Sequence, residues 1–222
     1  MTISLVLLAL IMASLIGWLL RQSLNTQPWI TAAATDTSEL DDNGIGLSAA
    51  KIGLLTFLTV ATSLFALFLS AYATRMELAD WTPLSEPLIL WLNTAALVLA
   101  SIALQRARNA ASRDNLAAVK SGLLAGGIFS WLFLAGQLVA WRQLNTAGFY
   151  LTSNPANAFF YLFTALHGLH LLGGLWVWGK TTLRIKEATT VEELGQSVEL
   201  CSLYWHFLLL VWLVLYGLLL ST

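Results

Sequence analysis

Three histidines, one carboxylate and two amides are the side chains with chemical potential in the apolar stretches of this sequence. His167 and His170 stand three residues apart, so on a helix they share one face. His206 lies in the next apolar stretch, seven residues after Glu199. His170 is roughly 15 Å along a helix from Lys180, and His206 roughly 10 Å from Glu199. On antiparallel helices the two rings would lie within about one turn in depth. Three imidazoles suffice for a single metal ion, but a membrane di-haem centre needs four axial histidines and the chain has 3. The plainer role is hydrogen bonding between packed helices, worth about 1 kcal/mol each. That role is favoured here over a metal ligand or a lipid or partner contact. Cys201 is the single cysteine, so neither an intrachain disulfide nor a thiolate cluster can form. It reads as a small packing residue. Asn93 and Gln137 complete the polar inventory, and no carboxylate lies deep in an apolar stretch.

The elements that must position these groups are set by composition. Of the 222 residues, 58% are hydrophobic and 10% charged, against about 25% charged in soluble domains. A soluble domain of this size leaves roughly 30% of its chain surface in water, which excludes a soluble enzyme. The charge balance, 11 basic against 12 acidic residues, argues against a nucleic-acid partner. Six stretches approach or exceed the length needed to span a bilayer as helices. They run from Ile3 to Leu20, Ile52 to Thr74, Leu88 to Leu104, Gly122 to Trp141, Ala158 to Gly179 and Leu200 to Leu220. Their lack of alternation excludes a lipid-facing barrel. The expectation is an all-α polytopic membrane bundle of six transmembrane helices. Its parts are an N-terminal helix over residues 1–21, a cytoplasmic linker over 22–50 and a five-helix body over 51–222.

Basic residues give the orientation. Arg21, Lys51, Arg106, Arg108, Arg113, Lys120, Lys180, Arg184 and Lys186 fall in alternate loops on one side, and only Arg75 and Arg142 on the other. The excess marks the cytoplasmic side and places both termini outside. The first span lacks a basic residue ahead of it, so it reads as a retained helix and not a cleaved signal. Gly122 and Gly126 form a G-x-x-x-G that suits close helix approach, and Gly168, Gly173 and Gly174 lie together in the fifth span. Trp18, Trp29, Trp81, Trp141, Trp176 and Trp178 fall near expected interfaces as an aromatic belt. Trp91, Trp131, Trp205 and Trp212 sit deeper.

The last two spans carry more than composition. Residues 159–174 read FFYLFTALHGLHLLGG and residues 204–216 read YWHFLLLVWLVLY. Together they resemble the cytochrome c oxidase subunit III family of the haem-copper terminal oxidases. Phe160, Tyr161, Thr164, His167, Gly168, His170 and Gly173 or Gly174 meet the first family pattern. Glu199, Tyr204, Trp205, His206, Phe207, Val211 and Trp212 meet the second. The stretch from Lys51 resembles the first of five shared helices, Pro87 to Ser101 the second, and Gln137 falls where the third commonly has a glutamine. The sequence departs from the family at Ala61–Ser63 and at Leu209, where many members carry an acid.

The resemblance implies a non-catalytic subunit that binds neither haem nor copper. Those cofactors, the reduction of O2 to water and the associated electron transfer would belong to partner subunits of the oxidoreductase complex. The chain would pack against subunit I, hold phospholipids, and support proton uptake in a bacterial plasma membrane. His167, Gly168, His170, Gly173, Glu199, Tyr204, Trp205, His206 and Trp212 would serve as motif and helix-packing residues. Separately, the similar depth of His170 and His206 on antiparallel helices points to these two, with Glu199, as joining the last two helices into a rigid hairpin. Two other readings stand beside this one: an accessory protein of a nitric oxide reductase, and a small-solute transporter.

Overall fold

The computed structural model describes residues 49–83, 87–187 and 192–221. Five helices account for nearly all of them: α1 (Ala49–Arg75), α2 (Ile89–Ala111), α3 (Leu116–Thr146), α4 (Pro155–Glu187) and α5 (Glu192–Leu220). Each contains a segment long and apolar enough to cross a membrane. The described residues contain no strand. The expected N-terminal helix, with Trp18, and the linker with Trp29 lie outside the described residues, except that Ala49 and Ala50 already open α1. All five helices run past the apolar stretches, because backbone hydrogen bonding continues where hydropathy stops. α3 begins six residues before Gly122 and α4 three residues before Ala158.

Local signals explain the boundaries. Asn115 caps α3 by accepting a hydrogen bond from the Ala118 amide at 3.1 Å. Asp114 beside it takes φ 52°, a conformation Asp tolerates better than most residues. At the other end of α3, Gly148 turns the chain with φ 86°, and the Phe149 amide returns to the Leu144 carbonyl at 2.9 Å. Pro155 then opens α4 where its missing N–H costs nothing. Asn154 caps that helix through the Ala156 amide at 3.1 Å, while its own amide group donates to the carbonyl and hydroxyl of Thr82.

The chain divides into two units between Ala66 and Leu67. In the first, α1 is helical with its hydroxyls turned onto its own backbone: Thr62 donates to the Leu58 carbonyl at 2.7 Å and Ser63 to that of Thr59 at 3.0 Å. In the second, α3 packs against α2 and α4, and α5 packs against the same two helices. The four form a closed ring. The final turns of α1 join it through Tyr72, whose ring meets Trp81 at 4.9 Å and Phe159 at 5.4 Å, both edge-on.

The α2–α3 pair is built from small residues. Ala100, Ala103, Ala107 and Ala110 are buried on α2. A Cβ on Gly122 would lie 2.9 Å from the Ala107 methyl, and one on Gly126 2.7 Å from the Leu104 side chain. Lipid tails are as apolar as leucine, so helices in a bilayer associate through such close contact and not through escape from water.

Candidate functional site: a four-helix knot of motif residues

Large side chains of α5 fill the centre of the ring and reach its diagonal neighbour. Trp205 is fully buried and donates its indole N–H to the Ser130 hydroxyl of α3 at 2.7 Å. That hydroxyl passes its own proton to the Gly126 carbonyl at 2.7 Å. Two turns further on, Trp212 donates to the Thr94 hydroxyl of α2 at 2.9 Å, and Thr94 donates to the Leu90 carbonyl. The Trp212 ring stands perpendicular to Phe133 of α3 at 4.8 Å and lies 5.3 Å from the imidazole of His167 on α4. Four helices therefore meet around one tryptophan.

His167 is completely buried in this knot, with Phe133 edge-on at 5.5 Å. Neither of its nitrogens has a hydrogen-bond partner among the described residues. Next to the knot, Asn93 of α2 donates to Gln137 of α3 at 3.3 Å. Asn93 fits there because Gly136 has no side chain: a Cβ would lie 2.0 Å from the Asn93 oxygen.

The hairpin of α4 and α5 is joined differently from the sequence expectation. His170 directs Nδ1 to its own Leu166 carbonyl at 2.7 Å, and His206 directs Nδ1 to its own Ser202 carbonyl at 2.6 Å. A bond that does cross the hairpin is made by Tyr204, whose hydroxyl donates to the His170 carbonyl at 2.8 Å. Gly174 allows this ring in, since a Cβ there would stand 2.5 Å from Tyr204. Gly173 faces open space, and Gly168 makes only an ordinary contact with Leu134. Glu199 reaches the other way, to Arg108 of α2 at 3.2 Å. Ser202 beside it donates to Gln105 at 3.2 Å.

Two tryptophans expected in the interfacial belt also link helices. Trp178 packs on Gly127 and donates to the Leu123 carbonyl at 2.8 Å, and Trp141 donates to Thr164 at 2.9 Å. Trp91 and Trp131 are exposed on the outside of the bundle. Ser130, Gly127 and Gly136 escaped the sequence reading, since small residues are frequent in membrane helices whether or not they touch anything. Cys201 is buried beside Thr181, 3.8 Å from its hydroxyl. Among the described residues, no three His, Cys, Asp or Glu side chains gather in metal-binding geometry.

These features define a multi-pass α-helical membrane protein whose interior is bridged by indole and phenol donors of its last helix. Comparison with known families sharpens that class. The family model for cytochrome c oxidase subunit III matches residues 5–220, and the chain belongs to that family. It is 27% identical over 170 residues to cytochrome c oxidase subunit 3 of Synechocystis sp., spanning 74% of this chain and 72% of that one. It is also 27% identical over 172 residues to a probable cytochrome c oxidase subunit 3 of Nocardia farcinica, over 75% and 85% of the two chains. A third relative, from Mycobacterium tuberculosis, is 26% identical over 171 residues, over 75% and 84%.

Proposed function

We propose that this chain is the cofactor-free structural subunit III of a bacterial haem-copper terminal oxidase. The observation that carries the reading is the expenditure of the family motif on packing. Trp205, Trp212 and Tyr204 give their N–H and O–H protons to neighbouring helices, and His167 is enclosed by aromatic rings. Side chains so engaged hold a shape and leave little to bind a substrate. Haem, copper and oxygen reduction then belong to partner subunits, chiefly subunit I, against which this bundle packs.

In this reading the chain spans the plasma membrane six times with both termini outside. It stabilises the complex during turnover, binds phospholipids along its apolar exterior and supports proton uptake without supplying a deep carboxylate. Ala61–Ser63 and Leu209, where many relatives have acids, favour a second assignment to a nitric oxide reductase complex. Gentle solubilisation through a tag on this chain, followed by an optical spectrum and mass analysis, decides. Co-purification of a haem- and copper-bearing subunit I supports the proposal. A haem-bearing reductase lacking copper supports the second assignment, and recovery without any haem protein sinks both.

A further inference from the structure

A layer of polar side chains crosses the four-helix ring at one depth. Asn93 of α2 donates to Gln137 of α3 at 3.3 Å. Its neighbour Thr94 accepts the Trp212 indole N–H, and the Trp212 ring lies 5.3 Å from His167 of α4. The register of α3 against α4 sets Gln137 level with His167. Leu134 lies 3.7 Å from where a Cβ on Gly168 would be, and Trp141 donates to Thr164. Gln137 falls between Leu134 and Trp141 on α3, and His167 falls between Thr164 and Gly168 on α4. Gln137 also stands one turn from Phe133 on the same helix face. The Phe133 ring meets the imidazole at 5.5 Å.

Both side chains are buried, and each brings atoms that no described residue satisfies. Asn93 engages the Gln137 oxygen, while Gln137 Nε2 has no acceptor among the described residues. Neither nitrogen of His167 has a partner among them. In a neutral imidazole one nitrogen donates and the other accepts. The layer therefore presents a donor on α3 and an acceptor on α4 at the same depth. A polar atom left dry in an apolar interior is costly, and buried polar groups of native proteins nearly always find a partner in protein or in ordered water. The adjoining rings offer none of that strength. Phe133 is hydrocarbon, and the single N–H of Trp212 already goes to Thr94.

We propose that this layer binds one buried water molecule between α3 and α4. The water accepts from Gln137 Nε2 and donates to the unprotonated nitrogen of His167. It suits both ends because one molecule donates and accepts, and such bridges are nearly as good as direct hydrogen bonds. The remaining imidazole N–H lies among the Phe133 and Trp212 rings, whose faces accept weakly. The water gives α3 and α4 a polar tie at a depth between those made by Trp178 to Leu123 and by Trp141 to Thr164. The site belongs to the bundle itself and does not depend on which complex the chain serves.

The test is a structure of the native complex, resolved finely enough to show water elsewhere in its interior. The expected result is density within hydrogen-bond distance of both Gln137 Nε2 and one nitrogen of His167. Absence of that density overturns the proposal, and so does a ring nitrogen bonded directly to Gln137 or to any other protein group. Thermal unfolding of the complex supplies the second measurement. Gln137→Leu breaks the Asn93 bond in any background, so only its dependence on residue 167 reports the bridge. The fall in unfolding temperature is expected to be larger with His167 present than in the His167→Leu variant, where no imidazole is left dry. His167→Leu by itself displaces the water together with the ring and puts an apolar side chain in their place, so its own effect is expected to be small. Equal falls for Gln137→Leu in the two backgrounds overturn the proposal.

Discussion

Tyr204 donates its hydroxyl to the backbone carbonyl of His170 at 2.8 Å, across the interface of the last two helices. A carbonyl already engaged within its helix has a second lone pair to offer, and the phenol takes it. Tyr204→Phe keeps the ring against Gly174 and removes this bond. The expected loss is about 1 kcal/mol, read as a lower unfolding temperature of the solubilised complex. An unchanged transition would mean that the bond contributes nothing to the hairpin.

Adjacent glycines in α4 separate contact from composition. Gly174→Ala puts a methyl 2.5 Å from the Tyr204 ring, whereas Gly173→Ala meets nothing within 4 Å. The first is expected to destabilise by about 1–3 kcal/mol through overpacking. The second is expected to be neutral or slightly favourable. Thermal unfolding of the two variants side by side measures the contrast, and equal effects would contradict the packing described here.

Trp212 and Thr94 should be energetically coupled. In a double-mutant cycle with Trp212→Phe and Thr94→Val, the interaction energy is expected near 0.6–1.7 kcal/mol, the range for hydrogen bonds in membrane bundles. Strict additivity of the two single losses would show that the indole bond is not formed.

His167 presents the reverse case. Both of its nitrogens are buried without a partner among the described residues. Replacing an unsatisfied polar group with an apolar one removes its desolvation cost. His167→Leu is therefore expected to leave the stability of the complex unchanged or to raise it. A fall of several degrees in unfolding temperature would reveal a partner for the ring.

At the end of the first membrane-crossing segment, Arg75 donates two bonds to the carboxylate of Asp80 in the loop beyond it, at 2.7 and 2.5 Å. This hydrogen bond holds Asp80 below the ordinary carboxylate range. A depressed folded-state pKa contributes stability above the unfolded value of about 3.9 and loses it as pH falls through the folded value. The difference between wild type and Asp80→Asn should thus be present at neutral pH and vanish on acidification. A difference that persisted in strong acid would exclude the carboxylate as its source. The pair is solvent-exposed, so the effect is expected to be small and weakened by salt.

The sequence by itself determined that this is a helical membrane protein, and it located the spans that the described residues include. Hydropathy runs along the chain, and a helix is the structure that satisfies its own backbone in lipid. The caps at Asn115 and Asn154 are local chemistry too, but they lie ahead of the apolar stretches, so hydropathy placed both helix starts too late. The family was legible because the motif residues of the last two spans occur at fixed spacing. What the sequence left open was the direction in which each side chain faces. In a bilayer both the bundle interior and its surroundings are apolar, so hydrophobic periodicity carries little information about azimuth. Only the tertiary structure decided that Gly174 and not Gly173 admits an aromatic ring, and that Trp178 bridges two helices while Trp131 lies outside. It also decided that His167 turns inward and His206 outward, though both stand within apolar spans. Those choices depend on which helices neighbour one another and how closely their backbones approach, a property of the assembled ring and of no single segment.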